Sequence, residues 1–229
     1  MDFQFLLADL PRIAFMNQNG AHSPLSIENN NHTGPDIAFF DFDGTITNRD
    51  SFIDFIKFYR GKVATYTGLF RMLPILIAYK ARIVPNWKAK EKVLTYFFAG
   101  EPIEKFQQNC DRYAEERLPH IIRVSALQAI KKHQAVGTDI YLVSASPENW
   151  LSNWCRRKGI KLIASKLQVQ DGKLTGKLVG KNCYGPEKVA RIREEVTLTD
   201  YYHVYCYGDS RGDREMLSLA DYAYYRPFR

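Results

Sequence analysis

The alternation of short apolar runs with helical patterns over residues 139–225 limits the possible folds of this chain more than any other feature. Strand patterns lie at 139–144, 161–165 and 203–208, and helical patterns at 148–158, 186–195 and 212–219. Strands that alternate with helices form parallel sheets covered by helices on both faces. An earlier apolar strand at 37–40 joins this set, so the sequence predicts an α/β fold.

A long helical stretch separates the first strand from the others. Helical patterns at 63–82, 87–98, 103–117 and 121–135 follow a first helix that begins near Ser51. Ser51 with Asp54 three residues later resembles a capping box, and Gly137 is a plausible stop. The sequence therefore predicts an all-helical insertion over 51–135.

Turn residues and composition predict the remaining parts of the chain. Asp171-Gly172 between alternating residues predicts a β-hairpin, and residues 222–225 predict a last strand. The stretch 17–35 is rich in Asn, Gly, Ser, Pro and His, so we expect residues 1–35 to be a flexible N-terminal extension.

Polar clusters follow three of the predicted strands at the point where each strand ends. They are Asp41-Phe42-Asp43-Gly44-Thr45, Ser144-Ala145-Ser146 and Gly208-Asp209-Ser210-Arg211-Gly212-Asp213. Each cluster alone fits ordinary loop chemistry, in which Asp and Gly form turns and Ser caps a helix. Because ligands bind beyond the carboxyl ends of parallel strands, three such clusters on one edge indicate a functional site.

The carboxylates in these clusters indicate a bound cation. Those expected to share one cleft are Asp41, Asp43, Asp209 and Asp213. Two unit charges about 4 Å apart repel by about 4 kcal/mol at an effective dielectric of about 20. Oxygen-only ligands favour Mg²⁺, which is usually held by one or two carboxylates plus a substrate phosphate. Lys188, near the start of the helix at 186–195, supplies further positive charge or is an ordinary surface lysine.

The order of these motifs resembles that of the haloacid dehalogenase superfamily. DFDGT, SAS after an apolar strand, GPEK and GDSRGD follow one another as in that family, and the likeness spans residues 37 to about 225. The helical insertion after the first motif resembles the C1 cap of the phosphoserine-phosphatase-like branch, subfamily IB. The resemblance implies a Rossmann-like catalytic core at 36–50 and 136–229, with the cap at 51–135.

The resemblance also implies a catalytic role for each cluster. Asp41 would be the nucleophile that forms an aspartyl-phosphate, and Asp43 the general acid and base. Ser144 and Lys188 would hold the phosphoryl oxygens. Backbone N–H groups near two further residues would help to bind phosphate, namely Gly44 and Ala145.

The same resemblance implies an Mg²⁺ site and an activity. The ion would be held by the carboxylates of Asp41 and Asp209 and by the backbone carbonyl of Asp43, with Asp213 acting directly or through water. The implied enzyme is an Mg²⁺-dependent phosphatase that hydrolyses phosphoric monoesters.

Several positions depart from the pattern of true phosphoserine phosphatases. Gly44 stands where those enzymes usually have Ser, and Asp50 where a Glu holds the substrate amine. Ala145-Ser146 replaces a Gly-Gly pair, and Gly212 replaces an Asn. The SAS-P pattern and the cap are more similar to phosphatidylglycerophosphatase C-type members. We therefore expect a lipid or other amphipathic phosphate as substrate, with phosphoserine or another small metabolite as the alternative.

The positive charge of the chain is concentrated in one segment. The formal net charge is +7, and residues 57–92 hold nine Lys and Arg but a single acid, Glu91. The run 63–79 within it is largely apolar and has a single charge, Arg71, with a helix kink expected at Pro74. Such a stripe suits peripheral contact with an anionic membrane. The alternative, which we slightly favour because buried helices of this length are common, is that the stripe is the core of the cap.

Other functional classes remain as alternatives. A phosphotransferase would share every catalytic residue, whereas a non-catalytic lipid-binding protein would be expected to lose at least one of them. No nucleic-acid partner is expected, because no recognised binding motif occurs. The four cysteines form no CxxC pair, which favours a reducing compartment, so we expect a cytoplasmic location. The segment 57–92 leaves a peripheral location at the inner face of the membrane open. The sequence does not indicate an oligomeric state.

Overall fold

A six-stranded sheet forms the centre of the computed structural model, which describes residues 34–229. The strand order is β4-β3-β2-β1-β5-β6, and all neighbours are parallel except the antiparallel pair β3–β4. This confirms the predicted α/β fold. The expected N-terminal extension lies, for residues 1–33, outside the described residues. The strands are β1 (Ile37–Phe40), β2 (Asp139–Pro147), β3 (Lys161–Gln170), β4 (Lys173–Val179), β5 (Val204–Gly208) and β6 (Tyr222–Tyr225).

Apolar side chains cover both faces of the sheet. Along β1, Ala38 and Phe40 belong to one buried cluster, while Ile37 and Phe39 belong to a second cluster. Successive residues of a strand point to opposite faces, so a strand buried on both sides must be apolar throughout. This is why the short run of β1 is apolar at every position and fully buried.

The segment between β1 and β2 is helical, as predicted. Its first helix is capped by Asp50, whose Oδ1 accepts from Ile53 N at 3.0 Å. The expectation of a Ser51 cap is therefore wrong by one residue, and Ser51 is the first helical residue. The helices are α1 (Ser51–Arg60), α2 (Lys62–Arg71), α3 (Leu73–Lys80), α4 (Asn86–Phe98), α5 (Ile103–Glu116) and α6 (Val124–Ala135). We call residues 51–135 the cap.

The predicted helix over 63–82 is divided in two at Met72. Pro74 cannot donate a backbone hydrogen bond, so it is tolerated only in the first turn of a new helix, and α3 begins at Leu73. Only Thr65 and Gly68 are buried in α2, and α3 has no buried residue. The stripe is therefore the core of the cap only in part. Met72 belongs to the buried cluster, and Leu69, Ile75 and Leu76 pack against it. The outward side chains of both helices are exposed. In the described part of the chain, no helix combines the length and apolar composition needed to cross a membrane.

The remaining helices flank the strands of the sheet. Gly159, in a left-handed conformation with φ 65°, ends α7. The predicted hairpin joins β3 to β4, and positive φ angles at Asp171 and Gly172 make the turn match the twist of the strands. The helices are α7 (Ser152–Lys158), α8 (Pro186–Glu195) and α9 (Arg214–Leu217).

The hairpin of β3 and β4 is also joined to the cap by backbone hydrogen bonds. Gly100 N donates to Leu174 O at 2.8 Å, Leu174 N donates to Glu101 O at 2.9 Å, and Ile103 N donates to Gly172 O at 2.9 Å. A Cβ at Gly176 would lie 2.3 Å from Thr95 Cα, so only glycine lets β4 approach α4 this closely. The cap thus contacts the core at the hairpin as well as through its two chain connections.

Candidate active site

The polar clusters predicted from the sequence meet at the carboxyl edge of the sheet. Asp41 directly follows β1, Ser144 lies near the end of β2, and Asp209 directly follows β5. The chain proceeds outward from β1 through β2 to β3 and then returns to β5 on the other side of β1. Such a reversal of strand order leaves a crevice at the strand ends, which is the usual ligand site of this fold.

Lys188 forms the centre of the site and is 1% exposed. Its Nζ lies 2.6 Å from Asp41 Oδ1, 2.7 Å from Asp213 Oδ1 and 2.7 Å from the carbonyl oxygen of Val143. The lysine is in the first turn of α8, where Gly185, with φ 61°, turns the chain into the helix. Lys188 is therefore buried beside the carboxylates and is not a surface lysine. Its contact with a phosphoryl oxygen stays a prediction.

The protonation of this cluster follows from burial and pairing. Burial, reinforced by Asp213, raises the pKa of Asp41 well above its ordinary value, although Lys188 opposes the shift. Burial also acts on Asp213, but Lys188 and Ser210 bring its pKa below the ordinary value. Although burial disfavours its charge, Asp213 and Asp41 raise the pKa of Lys188. The site therefore holds a firmly ionised pair, Lys188 with Asp213, beside a carboxyl group that ionises less readily.

Asp43 faces the first helix of the cap. Its Oδ1 accepts from Ser51 N at 2.6 Å, and its Oδ2 accepts from Ser146 Oγ at 2.6 Å. The first N–H groups of a helix have no partner within the helix, and Asp43 accepts one of them at the start of α1. The roles of Ser51 and Ser146 were not foreseen, because the sequence does not show that the cap begins against the second motif.

Three carboxylates form a group with the size of a cation site. Oxygens of Asp41, Asp209 and Asp213 all lie within 4.8 Å of one another. Burial and the nearby Asp213 raise the pKa of Asp209 to about 6. Asp209 Oδ1 is buried and has no hydrogen-bond partner among the residues that the structure describes. An orphaned carboxylate oxygen beside two other carboxylates fits a hard divalent cation such as Mg²⁺.

The residues predicted to bind phosphate surround this group. Gly44 has φ 89°, and a Cβ there would lie 2.5 Å from Asp209 Oδ2, so the position requires glycine. Gly44 N donates to Thr47 Oγ1 at 3.2 Å. Ser144 is fully buried, and its Oγ accepts from Ser146 N at 3.0 Å. The loop at Gly44 therefore lies against Asp209, and the carbonyl of Ala145 accepts from a cap residue described next.

Lys90 of α4 enters the site from the cap and is 8% exposed. Its Nζ lies 2.5 Å from Ala145 O and 3.4 Å from Asn182 Oδ1. Burial lowers the pKa of Lys90 to about 8, although Asp43 and Asp50 favour its charged form. In the sequence, Lys90 is only one of nine basic residues in 57–92. Its side chain points into the site because of how the cap packs, which the sequence does not show.

Two arginines near the end of the chain also reach the site. Arg229 pairs with Asp209 Oδ2, and Arg226 Nε donates to the carbonyl oxygen of Asp209 at 3.1 Å. Arg123, at the start of α6, donates from its Nη1 to Phe228 O at 3.4 Å. No sequence motif singled out Arg226 and Arg229, because they follow the last strand in a stretch without a recognisable pattern.

Comparisons with known proteins agree with this geometry. The family model described as haloacid dehalogenase-like hydrolase matches residues 38–218. Protein CicA of Caulobacter vibrioides is 36% identical over 197 residues, which covers 85% of this chain and 87% of that protein. A probable phosphatase of Mycobacterium tuberculosis is 28% identical, covering 81% of this chain and 67% of that protein.

A solved structure with the same fold is a substrate-bound phosphoserine phosphatase. It superposes with a TM-score of 0.54 at 22% identity, and the match covers 81% of this chain and 83% of that one. The family model covers most of β1 and all of β2 to β5, together with the cap and all three polar clusters. The chain therefore belongs to the haloacid dehalogenase-like hydrolase family.

Proposed function

We propose that this chain hydrolyses phosphoric monoesters by way of an aspartyl-phosphate formed on Asp41. Membership of the family and the relative named as a phosphatase make the chain a phosphatase. The observation that carries the mechanism is the buried contact of Lys188 with Asp41 and Asp213, with Asp43 two residues along the same loop. The proposal includes the division into a core at 36–50 and 136–229 and a cap at 51–135.

In the first step a carboxylate oxygen of Asp41 attacks phosphorus. The bond between phosphorus and the ester oxygen breaks, and its electron pair goes to that oxygen, which takes a proton from Asp43. In the second step Asp43 removes a proton from water, whose oxygen attacks phosphorus. The bond from phosphorus to Asp41 then breaks, releasing inorganic phosphate and restoring the carboxylate.

The contacts of the two aspartates suit these two roles. Asp43 accepts hydrogen bonds from Ser51 N and Ser146 Oγ, which fix the position of its carboxyl group two residues from Asp41. Lys188 carries a fixed positive charge against Asp41 and is placed to offset charge on the phosphoryl oxygens. Ser144 and the N–H groups near Gly44 and Ala145 are proposed to bind the same oxygens.

Mg²⁺ is the proposed cofactor of this site. Asp41, Asp209, Asp213 and the backbone carbonyl of Asp43 would hold it. When bound, it supplies positive charge that offsets the phosphate oxygens and the clustered carboxylates. The orphaned oxygen of Asp209 supports this assignment.

The substrate is proposed to be a lipid phosphate or another amphipathic phosphate, which the protein meets at the inner face of the membrane. One observation supports this over phosphoserine. Asp50, the counterpart of an amine-binding Glu, caps α1 through its Oδ1. The buried cation next to the catalytic loop, Lys90, suits a substrate with a second negative charge, which phosphoserine also carries in its carboxylate.

Phosphate release from a panel of esters tests the proposal. The panel contains phosphoserine, sugar phosphates, nucleotides, phosphatidate and phosphatidylglycerophosphate, each with and without Mg²⁺. We expect Mg²⁺-dependent turnover that is fastest with an amphipathic ester. Fastest turnover of a soluble ester would contradict the lipid substrate. Release only when an acceptor alcohol is added would identify a phosphotransferase instead.

The titration of Lys90 predicts a pH dependence of substrate binding. Because its pKa is about 8, the ammonium loses its proton as the pH rises through that value. We expect KM for a substrate with a second anionic group to rise above about pH 8, with kcat changing less. Lys90→Arg should move this rise to higher pH, and Lys90→Met should raise KM about 10- to 100-fold at neutral pH, the range for a lost charged hydrogen bond. Steady-state kinetics from pH 6 to 10, about two units either side of that pKa, measure this.

Lys131→Met, at an exposed position of α6, is the matched control and should leave the pH profile unchanged. The role of Lys90 in substrate binding is contradicted if KM of Lys90→Arg rises over the same pH range as KM of the unchanged protein.

A further inference from the structure

The outward faces of α2 and α3 and the start of α4 form a surface that the catalytic proposal leaves unexplained. We call residues 62–92 the docking surface, and we propose that it binds the protein peripherally to an anionic lipid bilayer. Val63 and Phe70 on α2 are 79% and 75% exposed, and Ile77 on α3 is 58% exposed. Large apolar side chains so fully open to solvent are uncommon when they occur together.

The exposed residues lie on one side of α2. Val63, Tyr66 and Phe70 are spaced by three and four residues, which places them along a single helix face. The opposite side holds Thr65 and Gly68, which are buried against the rest of the cap. The packing of the cap therefore uses the inner side of α2 and leaves its apolar outer side unpartnered within the described residues.

Positive charge surrounds these apolar residues. Exposed cations of the docking surface are Lys62, Arg71, Lys80, Arg82, Lys88 and Lys92. Within 62–92, all of which the structure describes, the single acid is Glu91, and its Oε1 is engaged by Leu178 N at 3.0 Å. The cations therefore have no exposed carboxylate within this range to neutralise them.

Aromatic rings of the docking surface lie directly beside cations of the surface or of the neighbouring helix α1. Lys57 Nζ lies 5.3 Å from the ring of Tyr66, and Lys88 Nζ lies 5.3 Å from the ring of Trp87. Both rings are about half exposed. Aromatic rings with adjacent cations are typical of side chains at the boundary between lipid headgroups and acyl chains.

A cavity at the edge of the docking surface is lined by both apolar and positively charged side chains. It has a volume of about 420 Å³ and is lined by Met72, Ile75 and Tyr96 together with two cations, Arg71 and Lys92. Apolar walls with cations match the acyl and phosphate parts of an anionic lipid. A nucleic acid would use the cations but not the apolar side chains between them, so the bilayer is the occupant that accounts for both.

Flotation of the full chain with vesicles tests the inference. Vesicles of phosphatidylcholine with and without phosphatidylglycerol are compared at low and high salt. We expect binding to the phosphatidylglycerol vesicles that weakens with salt, and little binding to phosphatidylcholine alone. Phe70→Ser with Ile77→Ser should weaken binding by about 10-fold or more, since burial of each side chain is lost. Lys80→Glu with Arg82→Glu should weaken it by a similar factor, because each cation near the surface contributes about fivefold.

The matched control replaces exposed apolar residues elsewhere. Val124→Ser with Val136→Ser changes two side chains at the ends of α6 that are 70% and 76% exposed, and binding should stay unchanged. Asp41→Asn should also bind vesicles normally. The test of membrane binding is therefore separate from the test of the catalytic proposal. The inference is overturned if the unchanged protein does not bind phosphatidylglycerol vesicles at low salt. It is also overturned if Phe70→Ser with Ile77→Ser binds them equally well, or if light scattering shows that this pair instead disrupts a dimer.

Discussion

Asp41→Asn is expected to lower phosphate release about 10⁴-fold or more, because the amide cannot form the phosphoenzyme. The variant should nevertheless be folded. Lys188 keeps its contact with Asp213 at 2.7 Å, so the substitution does not leave the buried lysine unpaired. Since the pKa of Asp41 is higher in the folded than in the unfolded chain, its ionisation costs stability as the pH rises above the ordinary carboxyl range. A neutral amide removes that cost, so Tm at neutral pH should be equal or higher.

Asp43→Asn is the matched comparison for the same experiment. It keeps the nucleophile but loses the proton donor and acceptor, so we expect a loss of about 10²- to 10⁴-fold. The loss should be smaller for an aryl phosphate, whose leaving group needs no proton, and acid-quenched protein should then contain accumulated phosphoenzyme. Retention of more than about a hundredth of the turnover by Asp41→Asn, in a preparation free of other phosphatases, would remove Asp41 from the nucleophile role.

Lys188→Met is expected to have the largest effect on stability. The substitution removes the cation shared by Asp41 and Asp213 and leaves both carboxylates buried against each other. Breaking a buried pair in this way costs about 3–5 kcal/mol of unfolding free energy. Urea denaturation with and without Mg²⁺ measures it. Saturating Mg²⁺ should restore part of the loss, about 2.7 kcal/mol at about 100 times Kd. Activity should stay low even in the refolded, Mg²⁺-bound variant.

Lys161→Met provides the matched control for this loss. Lys161 pairs with Asp139 at 3.2 Å, but both side chains are exposed, so its removal should change stability by less than about 1 kcal/mol. Equal stability of Lys188→Met and the unchanged protein would mean that the buried pair contributes nothing to the folded state.

The sheet and its hairpin could be predicted from local patterns. The run at β1 is apolar at every position because both of its sides are covered, and Asp171-Gly172 forms the predicted turn. The sequence placed the helix cap at Ser51 instead of Asp50, and the kink at Pro74 instead of Met72. Helix ends depend on which of several polar residues reaches a free N–H, and adjacent Asp and Ser cannot be ranked by pattern alone.

The candidate site was predictable where it follows strand ends and unpredictable where it depends on the cap. Asp41, Asp209 and Lys188 come together because parallel strands and the helix after Gly185 converge on one edge. Lys90 and Ser51 reach the site only because the cap packs over that edge. Their sequence spacing from the motifs carries no information about that packing. The exposed side of α2 was likewise hidden, because an apolar helix pattern does not show which faces are covered.

The backbone bonds between the cap and the β3–β4 hairpin restrict how substrate enters. A cap that swung on its two chain connections as an independent lid would break the bonds of Gly100, Leu174 and Ile103 and separate Gly176 from Thr95. Each such bond is worth about 1 kcal/mol net, and the tight glycine contact would be lost with them. We therefore expect the cap and the hairpin to move together. Opening of the cleft would then bend the β3–β4 hairpin relative to the rest of the sheet instead of turning the cap alone about residues 50 and 136.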